Sequence, residues 1–197
     1  MSNDLIWLPS DDEHDPGGKL RLPVPLDIVS EAIYSPCKQY RYLLRREWWR
    51  DEPRRTVMFI MLNPSTATTE VDDPTVRKCR SYAQQWGYNT LLVGNLMAYR
   101  TTYPALLRGV DDPVGADNLA HLTEALATAT LLICAWGRVP TRFGYAEQAV
   151  IQLIRSLGTT PYVLRLNVTG GPWHPLYLPM AIEPQLWTID DSAPNHS

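Results

Sequence analysis

No apolar run in this 197-residue chain reaches the roughly 20 residues that a membrane-spanning helix needs. The N-terminal stretch, with Asp11, Asp12, Glu13 and Asp15, is acidic and has no signal-peptide character, so a cytoplasmic protein is expected. Cysteine is scarce: Cys37, Cys79 and Cys134 are odd in number and lack C-x-x-C spacing. They are expected to be reduced, buried packing residues. Neither G-x-G-x-x-G nor a P-loop occurs, which argues against a dinucleotide enzyme. Ser65 lacks a nucleophile elbow, which argues against a serine hydrolase. Internal repeats, low-complexity tracts and metal motifs of definite spacing are also missing, and no cofactor is expected.

What is present fits one globular domain with a real core. Hydrophobic residues make up 45% of the chain and charged residues 20%. The net charge of −3 is unevenly spread, because sixteen Lys and Arg face eleven Asp and Glu between Lys38 and Tyr177. Fifteen of the eighteen basic residues are Arg, the side chain suited to bidentate phosphate contacts. Lys38, Arg41, Arg45, Arg46, Arg50, Arg54 and Arg55 cluster among Tyr40, Tyr42, Trp48 and Trp49. That mixture can track phosphates and stack bases, although scattered surface Arg is an equally plain explanation.

The chain divides into an acidic, Pro-rich arm (residues 1–30), a single α/β domain (31–180) and a tail (181–197). Val57 to Leu62 is an unbroken apolar run that suits a central strand buried on both faces. Asn63-Pro64 ends it, and Asp73 before Pro74 marks the N-cap and first position of a helix that Gly87 stops. Tyr40 to Trp49 reads as an outer strand, joined through Asp51-Glu52-Pro53 to Arg55–Leu62 as an antiparallel hairpin. An edge strand would let its arginines face water. Further strands are expected at 90–93, 131–135 and 162–166, with helices around Leu119, Leu122 and Leu126 and over 142–157. The alternation predicts an α/β fold of three layers, α/β/α, with a mainly parallel central sheet and an N-terminal antiparallel hairpin strand. Short right-handed connections then bring Asn63, Asn95, Trp136 and His174 to one edge of the sheet, where open α/β sheets hold ligands.

MLNPSTA, DDPTVRKC, WGY with NLMAYR, AWG and GGPWHPLYL, in that order over 38–178, resemble the bacterial and phage family known as domain of unknown function 1643. The motif series is also similar, more remotely, to the uracil-DNA glycosylase superfamily: Asn-Pro after the first core strand, Asn after a later one, and a terminal His-Pro loop. The resemblance implies a glycosylase-like fold and cleavage of the N-glycosidic bond of a modified nucleobase in DNA, in conflicts between bacteria and phage. It makes Asn63 the residue that positions a hydrolytic water, His174 the one beside the scissile bond, and Asn95 the reader of an extruded base. The sequence departs from the pattern after Asn63-Pro64, which continues with Ser65, and after His174-Pro175, which continues Leu-Tyr-Leu. Uracil itself is therefore not implied.

Such chemistry needs a water on one side of the sugar and donors to the departing base on the other. Asn63 and His174 fit those roles, and Asp72 is the nearest carboxylate that could act as a base. Pro64, Ser65, Asn95, Tyr99, Trp136 and Trp173 are candidates to hold the base, with Arg41, Arg45, Arg77 and Arg100 as phosphate contacts. Plain structural roles stand beside these. Asn63 can end a strand and bond its own turn, Asn95 can bridge loops, and Asp72 and Asp73 can cap a helix and lock its loop. DNA is the expected partner, no membrane is expected, and a monomer is the default. Two other functions remain open: a metal-dependent nuclease or phosphohydrolase using Glu70, Asp72, Asp73, Asp111 and Asp112, and a non-catalytic nucleotide or nucleic-acid binding module.

Overall fold

The computed structural model describes residues 21–49 and 53–189. In chain order the first elements are β1 (Leu22–Pro23), β2 (Val29–Tyr34), β3 (Arg41–Glu47), β4 (Thr56–Met61), β5 (Val71–Asp72), α1 (Pro74–Gln85) and β6 (Thr90–Asn95). After them come α2 (Asn118–Thr128), β7 (Leu131–Cys134), α3 (Gly144–Ser156), β8 (Pro161–Val163) and β9 (Gln185–Leu186). Short 3-10 turns occupy Pro104–Gly109, Thr141–Phe143 and Pro175–Tyr177.

β4 is buried at every position, as its lack of polar alternation requires. Val57, Phe59 and Met61 enter one core, and Met58 and Ile60 enter the other. The first core is closed by α1, through Val76, Cys79, Tyr82 and Ala83, and the second by α2 and α3, through Leu122, Leu126, Ala146, Val150 and Ile154. Helices therefore cover both faces of a mixed, seven-stranded sheet ordered β2-β3-β6-β4-β7-β8-β9. The four middle strands, β6-β4-β7-β8, run parallel, and antiparallel pairings flank them on either side. Helix α1 begins as its sequence directs: Asp73 Oδ1 accepts from Val76 N at 2.8 Å, with Pro74 in the first turn. Gly87, at φ +73°, supplies the left-handed residue that ends it.

The hairpin is formed differently from the expectation. β3 pairs with β2 on one side and β6 on the other, never with β4, because β4 already has two parallel neighbours. The sheet edge is β2, whose exposed Glu31 and Ile33 lie in a stretch whose start falls within the expected arm. β3 is thus an interior strand, and Arg41 and Arg46 are among the most deeply buried side chains. At the other end, β9 and the buried Trp187 come from the expected tail and extend the body past residue 180. β8 stops at Val163, short of the expected Leu166. Cys79 and Cys134 are buried, where desolvation pushes both thiols well up, but Cys37 is exposed in the β2–β3 turn. Arg50 and the turn residues Asp51 and Glu52, most of the arm and the end of the tail lie outside the described residues.

Burial of Arg46 is tolerable because the β4–α1 loop folds onto it. Its Nε donates to Asp72 Oδ1 at 2.9 Å, its Nη2 donates to Thr68 O at 2.6 Å, and its Nη1 donates to Ser30 Oγ at 2.7 Å. Arg80 from α1 adds a second cation at 3.2 Å from Asp72 Oδ2. Breaking one member of a buried pair leaves an uncompensated charge. Asp72→Ala should lower unfolding free energy by about 3–5 kcal/mol in urea titrations. Arg54→Ala, which removes a pair between exposed Arg54 and Glu47, should lose less than about 1 kcal/mol. Similar losses in the two variants would show that the Arg46–Asp72 pair is not structural.

Candidate functional site

Because β6, β4, β7 and β8 are parallel and adjacent, their C-terminal ends open onto one edge. The exits continue side by side beyond the strands: Leu96 N donates to Met61 O, Met97 N to Leu62 O, and Ala135 N to Ile60 O. Asn63 leaves β4 there. Its Nδ2 donates to Thr101 O at 2.7 Å and to Pro64 O at 3.0 Å. This fixes the amide so that Oδ1 remains an acceptor with no hydrogen bond to a described residue. Buried Pro64 and half-buried Ser65 continue the same wall, and Pro64 O also accepts from Thr101 N.

The His-Pro loop closes on the exit of β7. Gly137, at φ +73°, sits so near the loop that a Cβ on it would lie 3.3 Å from His174 Cβ. Glycine is required there for both reasons. His174 caps the 3-10 turn Pro175–Tyr177, and its Nδ1 accepts from Leu176 N at 3.3 Å. With Nδ1 an acceptor, the neutral ring carries its proton on Nε2, which makes no hydrogen bond to a described residue. Burial lowers the imidazole from 6.5 to about 4, so it is neutral through the physiological range. The loop itself is braced on α1. Lys78 Nζ donates to Leu176 O and Leu178 O, and Tyr82 Oη donates to Pro179 O at 2.9 Å.

Asn95 is 1% exposed, and neither its Nδ2 nor its Oδ1 bonds a described residue. It does not bridge loops through its side chain. Its carbonyl accepts from Asn118 Nδ2 at 3.0 Å, and Asn118 Oδ1 is itself without a partner among the described residues. A buried amide with no partner is costly and rare, which marks this end of β6 as a place with polar capacity to spare.

Other expected site residues are placed elsewhere. Trp136 is 1% exposed, its Nε1 donates to Glu147 Oε1 at 2.8 Å, and its ring packs edge-on to Trp187, so it is a core residue and offers no face to a base. Tyr99 packs against Tyr40 at 5.5 Å, and Arg100 lies over Tyr34 and donates to Lys38 O, both supporting the β2–β3 turn. Asp72 is clamped between Arg46 and Arg80 at 1% exposure, which leaves its carboxylate closed off from solvent. Among the phosphate candidates, Arg45 pairs with Glu31 and Glu47. Arg41 is buried, donates to Ala67 O, and is lowered to about 10 by desolvation against the opposing field of Asp73. Burial raises the Asp73 carboxyl in turn, with Val76 N–H and Arg41 opposing. Arg77 and Arg100 are both half-buried without an ion pair to a described residue, but of the four only Arg77 has a guanidinium with no hydrogen bond, ion pair or ring contact to a described residue. Trp173 remains exposed beside His174.

Lys78, Gly137 and Asn118 also shape the site, and the sequence pattern does not single them out as site residues. Gly137 in the AWG tripeptide was the readable signal, since a glycine directly after a buried strand marks a close approach. Among the described residues no group of three or more His, Cys, Asp or Glu could hold a metal. Glu70, Asp111 and Asp112 are exposed, and Asp112 Oδ1 is engaged by Val114 N and Gly115 N.

The depressed His174 value sets a pH dependence. Between about 4 and 6.5 the unfolded chain binds a proton that the folded chain does not. The stability contributed by the neutral ring is complete above 6.5 and is lost as the pH falls towards 4. An NMR titration should find this imidazole near 4, and His174→Gln should flatten the fall in urea midpoint across that window. Titration of His174 near 6.5 would rule the arrangement out.

Over residues 41–176 the chain matches the family described as Protein of unknown function (DUF1643), while no curated protein and no solved structure matches it. The matched span runs from the first residue of β3 into the turn that follows His174, and so contains Asn63, Asn95, Gly137 and His174. The chain belongs to this family.

Proposed function

We propose that the protein hydrolyses the N-glycosidic bond of a modified nucleobase in DNA, on an α/β/α scaffold of the uracil-DNA glycosylase type. The observation that carries this reading is His174, held neutral with a free Nε2–H at the edge where the parallel strands end. Scission of the bond moves its electron pair onto the base and leaves positive charge on the sugar. A neutral imidazole can then donate to the base oxygen on which negative charge grows, and a fixed donor is worth most in a dry site. Water adds to C1′, its hydrogen directed by Asn63 Oδ1, and the released proton passes to solvent or to the departing base.

Asp72 has no part in this scheme, and the chemistry does not need it. A sugar that already carries oxocarbenium character accepts a weakly activated water, so an amide that orients the nucleophile is enough. Asn95 supports the reading as a buried donor and acceptor awaiting a polar edge. Arg77 is the remaining candidate among the four for a phosphate. The dispersal and internal engagement of the carboxylates weigh against a metal-dependent nuclease.

Incubation of the purified chain with oligonucleotides carrying a panel of modified bases, in EDTA, should create alkali-labile abasic sites. Asn63→Ala and His174→Ala should each slow base release by about 10²–10³-fold. Strands left intact across the panel by a folded protein would sink the proposal, and loss of activity in EDTA would favour the metal-dependent alternative.

A further inference from the structure

We propose that the rim beside His174, formed by Trp173 and Tyr177 with Arg165, is a stacking platform for single-stranded DNA, and that the protein engages unpaired strands in preference to duplex. The inference rests on the DNA reading above and extends it to the form of the substrate. Tyr177 is 78% exposed and Trp173 36% exposed, and they flank the histidine in sequence. The Tyr177 ring centroid is 6.1 Å from that of His174, and its hydroxyl has no hydrogen bond to a described residue. Large aromatic side chains are ordinarily buried, and two outside the core on either side of a site residue offer faces to a planar ligand.

Their support is rigid. Trp173 N donates to Arg165 O at 2.8 Å, Leu178 N to Pro175 O at 3.1 Å, and Lys78 holds the carbonyls of Leu176 and Leu178. Prolines at 172 and 175 remove further freedom. Rings on such a frame lose little entropy when a base stacks on them.

Charge selects the partner. No Asp or Glu occurs between Glu147 and Glu183, and Arg165 lies over Trp173 with its guanidinium 5.2 Å from the ring centroid. Arg165 makes no ion pair with a described residue and is exposed. A polyanion therefore meets no acidic residue of this stretch, and the exposed cations beside it are Arg165 and Arg138, which follows Gly137. A duplex held by its backbone needs a row of free Lys and Arg, and β3 does not supply one because Arg41, Arg45 and Arg46 are engaged internally. Base stacking with one or two phosphate contacts is the single-strand mode.

The test is fluorescence anisotropy with the full chain and an unmodified labelled oligonucleotide, alone and annealed to its complement. The single strand should bind at least about tenfold more tightly than the duplex. Tyr177→Ala and Trp173→Ala should each weaken single-strand binding by about tenfold, and Tyr177→Phe should keep it. Equal or tighter duplex binding, no binding to either form, or no effect of Tyr177→Ala would overturn the inference. These readouts do not involve base release, so the inference can fail while glycosidic cleavage of duplex is observed, and it can hold while cleavage is absent.

Discussion

A guanidinium shut away from water has to meet its charge inside the protein, and for Arg46 this is possible only while the loop between β4 and α1 lies across β3. Much of the site follows from that closure. Asp72 is fixed between Arg46 and Arg80, and Asp73, the next residue, starts α1. Helix α1 then presents Lys78 and Tyr82 to the carbonyls of the His-Pro loop, which sets His174 against Gly137. At the other end of the same loop, Asn63 is tied to Thr101 from the exit of β6. One buried ion pair thus links the two residues proposed to act on either side of the glycosidic bond, although neither touches it.

The arginines show how partner distance in sequence obscures burial. Arg41, Arg45 and Arg46 read as a surface cluster because they lie among aromatics on a strand taken for an edge. The partners of Arg41 and Arg46, Ala67 and Asp72, and one of the two partners of Arg45, Glu31, lie far enough along the chain that no local pattern joins them. Once β2 takes the edge, the same residues become internal ties. Arg77 on α1 and Arg165, which lies over Trp173, stand clear of acidic partners among the described residues.

What could be read from sequence was whatever local chemistry dictates. An apolar run without alternation gave a buried β4, Asp73-Pro74 gave the start of α1, and strand–helix alternation gave parallel neighbours whose ends converge. Hidden were features decided by tertiary pairing. β2 is a short, half-exposed strand within a proline-rich stretch, and only its ladder to β3 identifies it. Trp136 lies at the convergent edge, but its ring turns into the α3 side and bonds Glu147, a direction that strand parity and a helix one turn into its course decide together. Asn95 could be placed at the edge by pattern, whereas its lack of partners needs coordinates.

The absence of an available carboxylate narrows the chemistry that the proposed site could perform. A site with an accessible Asp72 could have driven a strongly activated water at a poor leaving group. With Asp72 held by two arginines, the activating group on the water side is an amide, which orients without removing a proton. The barrier must then be lowered on the side of the departing base, through Nε2–H of His174 and the free amide of Asn95. Such a division favours bases whose anion is already well stabilised and disfavours those that need protonation before they leave, because a ring lowered to about 4 supplies a hydrogen bond but not a full proton at neutral pH. The electronic character of the base, more than its size, would therefore set the range of substrates.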